Sequence, residues 1–254
     1  MKKIISFLMA LILCMAFMIP AFAANRTVFG TLEVAGQGTE TAPYKITEIG
    51  QLRALAKEVN DGNYDFKGKY FMIVGSLPGS LETPIGTAEH PFRGNFNGCG
   101  QIVKLNINMP KNNYVGLFGY CEGSRIENIN WQGSVIGNYY VGGICGFCDG
   151  GSIINCGDIL PINLKKYIYG RFYVGGICGE MDNGTIDRCI NNVSILDCLP
   201  DALGGICGQM FSGVIKNCVN NGDLDGSRVG GICGFIGCTN DFVPRSSVIN
   251  CNQR

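Results

Sequence analysis

The sequence carries little charge and no excess of either sign. Charged residues make up 16% of the 254, and Lys+Arg and Asp+Glu stand at 20 each. No field therefore steers the chain toward nucleic acid or an anionic membrane. Histidine occurs once, as His90 in Glu89-His-Pro91, where it reads as a loop residue and not a catalyst. Uninterrupted helical windows are missing too. Glycine and β-branched residues break every stretch of the repeated region, which excludes a helical solenoid. No catalytic constellation stands out, and no metal or cofactor is expected. After the N-terminus there is no second long apolar run, so no membrane span is expected once that segment is removed.

What is present begins with an export signal. Residues 1–24 read as a signal peptide: Lys2 and Lys3, an apolar run from Ile4 to Ile19, the breaker Pro20, then small residues in Ala21-Phe-Ala23. An uncleaved anchor is the alternative. Lipidation at Cys14 is disfavoured by the bulky Leu13 before it. The expected location is secreted or at the cell surface. An apolar fraction of 46% argues against disorder. Of the 14 cysteines, removing Cys14 leaves 13, an odd number that cannot all pair within one chain.

Five segments align: Val115-Gly-Leu-Phe-Gly119, Val141-Gly-Gly-Ile-Cys-Gly146, Val174-Gly-Gly-Ile-Cys-Gly179, Leu203-Gly-Gly-Ile-Cys-Gly208 and Val229-Gly-Gly-Ile-Cys-Gly234. From Phe118 through Cys145, Cys178, Cys207 and Cys233 the steps are 27, 33, 29 and 26 residues, a solenoid period. A second anchor follows in each copy, ending at Ile129, Cys156, Cys189, Cys218 and Cys251. The spacing between anchors is 11 in four copies and 18 in the fifth, where Gly237–Ser246 reads as a loop. A constant spacing inside a variable period implies two strands and a turn locked by stacking, with equivalent residues in ladders ~4.8 Å apart. The glycines are expected to supply tight corners and positive φ. Third strands are expected at Ser134–Ile136, Ile159–Ile162, Val193–Ile195 and Asp223–Leu224.

The cysteines then fall on two interior rows, Cys145/Cys178/Cys207/Cys233 and Cys156/Cys189/Cys218/Cys251. Export suggests disulfides. However, Phe118 and Ile129 fill the same rows in the first copy, which favours buried thiols acting as small hydrophobes. Cys121 and Cys148, at one position in neighbouring coils, are the best candidates for a bond. Zinc has little support, because Cys145-Gly-Phe-Cys148 lacks a second matching pair.

Ahead of the repeats, Leu52, Leu55, Ala56 and Val59 have the spacing of an amphipathic helix over 49–60. Such a helix would cover the apolar end of a solenoid. Pro43-Tyr-Lys-Ile46, Leu52-Arg-Ala-Leu-Ala56, Gly68-Lys-Tyr-Phe71, Pro84-Ile-Gly86, Phe92-Arg-Gly-Asn-Phe-Asn-Gly98 and Gly116-Leu-Phe-Gly119 resemble the GLUG-motif surface proteins of bacteria, over about residues 36–251. The resemblance implies a module of adhesin-like surface proteins, found also beside the catalytic domain of bacterial immunoglobulin A peptidases. Those peptidases look like zinc enzymes with a His-Glu-x-x-His site. This chain lacks that site, so the resemblance implies a surface module and not a peptidase. The later copies depart from the family pattern, with Ile-Cys where it has Leu and a bulky residue.

Two surface groups are candidates for contact. Glu122, Asp149 and Asp182 should stack on adjacent coils as a calcium site, as the acids of a glycan hydrolase, or simply as turn residues. Turn chemistry is favoured, since Phe211 follows in the row and no basic partner is evident. Tyr114, Tyr140 and Tyr173 precede the motif in three consecutive copies. With Tyr139, Tyr167, Tyr169 and Trp131 they form a candidate aromatic face for sugar or protein, or a ladder that merely covers the sheet.

The expectation is an all-β, right-handed parallel β-helix solenoid with an N-terminal α-helical cap. Its parts are the signal peptide (1–24), the cap and first coils (25–110), and the repeats (111–254). It is expected to act as a noncatalytic extracellular module of surface interaction or adhesion, with a host or cell-surface glycan or protein as partner. The alternatives are a β-helix glycan hydrolase or lyase, and a spacer or truncated part of a larger surface protein. The last follows from the chain stopping at Cys251-Asn-Gln-Arg254, inside the fifth coil.

Overall fold

Stacking is visible first in the register of the strands. In the computed structural model, which describes residues 26–158, 167–195, 202–237 and 246–254, Tyr44–Ile46 pairs antiparallel with Leu32–Ala35, and every later pairing is parallel. The chain winds as a β-solenoid whose coils contribute to four sheets. One sheet holds the first anchors in register, Phe118 beside Cys145, Cys178, Cys207 and Cys233. A second aligns Ile126, Ile153, Ile186, Ile215 and Val248. A third carries Ile102–Asn108 and Asn130–Ile136, and a short fourth runs through Tyr139–Gly142, Phe172–Gly175, Leu203–Gly204 and Val229–Gly230.

The row of isoleucines does not begin at Ile126. It continues backward through Phe96, Phe71 and Tyr44. The stretch that showed no repeat is therefore coiled on the same register, with aromatic rings where later coils have Ile. Phe96 and Phe118 meet at 5.4 Å, and Phe92 and Phe118 at 5.2 Å.

The expected third strands are met at Ser134–Ile136 and by bridges at Ile195 and Leu224. Ile159–Ile162 lie outside the described residues, and a strand not expected from the sequence, Tyr167–Tyr169, pairs with Ser134–Ile136. The inward row there is Val135, Ile168, Ile195 and Leu224. Most of the loop expected at Gly237–Ser246 also lies outside the described residues.

Two corners lie within the fixed spacing of 11, the second turned by a left-handed residue in every copy and the first in three of them. Gly123, Gly150 and Asn183 (φ 49–64°) make one; Asn128, Asn155, Arg188, Asn217 and Asn250 (φ 51–55°) make the other. Asn tolerates this region better than most residues because its short side chain bonds locally. Asn155 Nδ2, for example, donates to Asn128 Oδ1 at 2.8 Å.

The motif glycines have a different role from the one expected. Gly175 and Gly176 do not sit at positive φ. They are needed for space: a Cβ on Gly175 would lie 2.0 Å from the Cys178 carbonyl oxygen, and one on Gly176 would lie 2.3 Å from the Asn191 side chain and the Gly205 oxygen.

The cysteines described are all free thiols, and no bond joins Cys121 to Cys148 although they are neighbours in register. Each motif thiol bonds a carbonyl two residues on: Cys178 Sγ donates to Glu180 O and Cys207 Sγ to Gln209 O, both at 3.0 Å. The second row donates backward, as Cys218 Sγ does to Lys216 O at 3.1 Å. Burial pushes the Cys121, Cys178 and Cys189 thiols up, so they stay protonated and pack as small hydrophobes.

Helix α1 spans Ile49–Asn60 and buries Leu52, Leu55, Ala56 and Val59 as its spacing requires. It also buries Glu58, which accepts from Thr31 N (2.7 Å), Thr31 Oγ1 (2.6 Å) and Asn63 Nδ2 (2.9 Å). Those bonds, the Thr31 hydroxyl first, hold its carboxyl below the usual range. They pin the antiparallel hairpin of Arg26–Phe29 and Leu32–Ala35 to the helix. Among the described residues no helix is long and apolar enough to cross a membrane.

Candidate functional site

The tyrosines ahead of three motif copies occupy unusual backbone. Tyr114, Tyr140 and Tyr173 have φ of 60°, 58° and 53°. A left-handed conformation costs a non-glycine residue about 1–2 kcal/mol. Here it turns the chain so that the following valine, at 115, 141 or 174, points inward and is fully buried. The tyrosine is left outside. Stacked coils bring the rings together: Tyr114 and Tyr140 lie 4.8 Å apart and Tyr140 and Tyr173 5.4 Å apart, each pair inclined at 13°.

Two further rows flank this ladder. Tyr139 stacks on Phe172 at 4.3 Å, and Tyr120 on Phe147 at 4.7 Å. Tyr140 meets Phe147 edge to face at 6.0 Å. Burial pushes the Tyr120 and Tyr140 hydroxyls up to about 12, so both remain donors at neutral pH. Tyr120, Phe147 and Phe172 were missed from sequence. For Tyr120 and Phe147 the signal was the second residue after each anchor, a row that reads Tyr120, Phe147, Glu180, Gln209, Phe235 once the coils are aligned; Phe172 pairs in register with Tyr139 instead.

The other aromatic candidates lie elsewhere. Tyr167 and Tyr169 stand on the third sheet beside Ser134 and Ile136, with no ring contact to the ladder among the described residues. Trp131 is a correction: it is fully buried, and its indole fills the interior against Gly143, where a Cβ would come within 2.4 Å of Cζ2. It offers no surface to a ligand.

Glu180 is the unexpected member of the face. It continues the Tyr120–Phe147 row but is only 4% exposed. Burial first, with the Asp182 charge nearby, pushes its carboxyl up to about 8. An acid whose folded pKa is raised binds more protons folded than unfolded, so stability falls as pH climbs from the ordinary glutamate value toward 8. Glu180→Gln should flatten that decline and raise stability at pH 8.5 by roughly 1–3 kcal/mol. Thermal melts of both proteins between pH 5 and 9 check this, and parallel curves would refute it.

The acidic row forms as expected, with Glu122, Asp149 and Asp182 in register. It does have a basic partner. Arg93, from the preceding coil, bonds Glu122 Oε2 at 2.7 Å and Asp65 Oδ2 at 3.1 Å. At the other end, Ser212 Oγ donates to Asp182 Oδ1 at 2.7 Å. Asp149 lies between, its carboxyl pushed up by burial first and then by Asp182 and Glu122. Each acid adjoins a left-handed corner residue, so all three sit where turn chemistry puts them. No cluster among the described residues has three or more His, Cys, Asp or Glu placed to hold a metal.

No family model matches this chain, and no curated protein matches it. Among solved structures, it is similar to a "putative immunoglobulin A1 protease" from Bacteroides ovatus. The identity is 21% and the TM-score 0.56, over 86% of this chain and 77% of that one. At that identity the likeness shows the fold.

Proposed function

We propose that this chain is a noncatalytic module displayed outside a bacterial cell, acting in surface contact or adhesion, and that it meets a protein partner through the tyrosine face. The observation that carries the reading is the ladder Tyr114–Tyr140–Tyr173. Its ring faces are occupied by one another, so a partner finds a row of edges and hydroxyls. That suits a protein surface, where tyrosine is enriched at contacts, better than a sugar ring that needs an open aromatic face. The leader-like residues 1–24 and the resemblance to GLUG-motif surface proteins support display outside the cell. In this reading the solenoid winds right-handed, the sense favoured for crossovers between parallel strands. Helix α1 closes its N-terminal end, and its bonds to the Thr31 hairpin favour that role.

The fold neighbour's description makes immunoglobulin A1 the first protein to try, with fibronectin beside it. Biolayer interferometry should give binding to one of them that falls at least tenfold when Tyr114, Tyr140 and Tyr173 are all changed to Asn, which tolerates the left-handed backbone. Equal binding by the triple variant, or none by the parent, would defeat the proposal. A second reading, glycan hydrolysis, draws on the raised carboxyl of Asp149. Reducing-sugar release that Asp149→Asn abolishes would put that reading in place of the first.

A further inference from the structure

We propose that the cleft beside His90 binds an acidic sugar, a hexuronate unit of a glycan. The cleft is open and measures about 490 Å³, within the usual range for ligand sites. It lies between the segment that follows α1 and the turn at 87–93.

Both walls are held rigidly. Gly62 (φ 75°) lies so close to His90 that a Cβ would fall 2.6 Å from the imidazole Cε1. The His90 turn is closed twice, by Thr87 N to His90 O at 2.9 Å and by His90 N to Thr87 Oγ1 at 3.0 Å. Opposite, Phe66 is held in a left-handed conformation (φ 55°) although it is aromatic, and Lys69 N donates to its carbonyl at 2.9 Å. Non-glycine strain of this kind persists only where the surroundings over-determine it, and it concentrates at ligand sites.

The lining matches an acidic ring. Tyr64 is 40% exposed. Phe66 stacks on it at 5.6 Å and Phe29 braces it at 5.1 Å, which makes a fixed platform for the apolar face of a sugar. Lys67 and Lys69 line the same cleft and take part in no ion pair among the described residues. Arg93 has both terminal nitrogens engaged by Asp65 and Glu122, yet its Nε is buried without an acceptor. Against these donors the lining carries one unpaired carboxylate, on Glu89. The uncommitted charge favours an anion, and the tyrosine platform favours a ring.

This deepens the surface-contact reading and rests on it only for the reason an exported module would bind a glycan. The tyrosine face is built from other coils, so the two can fail separately. Saturation-transfer NMR on the full chain, with D-glucuronate and D-glucose as probes, tests the cleft. Glucuronate should show transfer to its ring protons. It should lose at least tenfold in affinity in the Lys67→Glu, Lys69→Glu double variant and in Tyr64→Ala, while Lys104→Ser, exposed on the third sheet, binds as the parent does. Glucose should bind at least tenfold more weakly. No transfer from glucuronate, equal binding of the two sugars, or full displacement by equimolar acetate would overturn the proposal. Loss of sugar binding in the lysine variant with immunoglobulin or fibronectin binding intact would separate the cleft from the tyrosine face.

Discussion

Gly175→Ala should destabilise the protein by about 3 kcal/mol or more, at the upper end of what overpacking a core costs. The added methyl would meet the Cys178 carbonyl oxygen at 2.0 Å, the Gly208 nitrogen at 2.7 Å and the Ile206 oxygen at 2.8 Å. All three are backbone atoms, and two belong to the next coil. No rotamer change relieves the contact; the stack itself must shift. For a chain of this size the melting temperature should fall by roughly 10 °C. Gly123→Ala supplies the contrast. Gly123 needs its left-handed φ of 64° but has nothing within 4 Å of a Cβ, so alanine there should cost only about 1 kcal/mol. Thermal and urea melts followed by circular dichroism measure both. If Gly175→Ala melts within about 2 °C of the parent, close approach does not explain the motif.

Trp131→Ala should cost about 3–5 kcal/mol, the range for truncating a large buried aromatic. The side chain is fully buried, and its Nε1 has no acceptor. Trp131→Phe should therefore be much milder, under about 1.5 kcal/mol, because it removes an unsatisfied donor while keeping most of the volume. As Trp131 is the one tryptophan of the chain, fluorescence reports directly on its surroundings. Emission should be blue-shifted and resist quenching by iodide until the protein unfolds. Ready quenching of the native protein would return Trp131 to the surface and to the list of ligand contacts.

Where the sequence was a good guide, a chemical repeat marked a geometric one. The cysteine rows, the register of Glu122 with Asp149 and Asp182, and the tyrosine ladder all follow from aligning the copies, because in a stacked coil equal position means adjacent position. Helix α1 was legible for a similar reason, since four apolar residues at helical spacing define one face. Residues whose row changes chemistry were not legible. Phe71 and Phe96 continue a line of isoleucines that nothing in the sequence joins to them, and Arg93 meets Glu122 from a coil outside the recognisable copies. Ile168 fills the third row between Val135 and Ile195, a position the spacing of the copies did not single out.

By itself, the sequence determined that this chain is a parallel solenoid, where its helix lies, and which residues of the recognisable copies stack on which. Those properties depend on spacing, and spacing is written in the chain. Only the tertiary structure decided which way each residue faces. A single left-handed corner reverses the alternation of in and out: Asn128 lies between inward Ile126 and inward Trp131, and Tyr140 is itself such a residue and stays outside. Glu180 keeps the outward register of Tyr120 and Phe147 and is nevertheless covered. It also decided why the motif needs glycine, because the limiting contact at Gly175 includes backbone of the following coil.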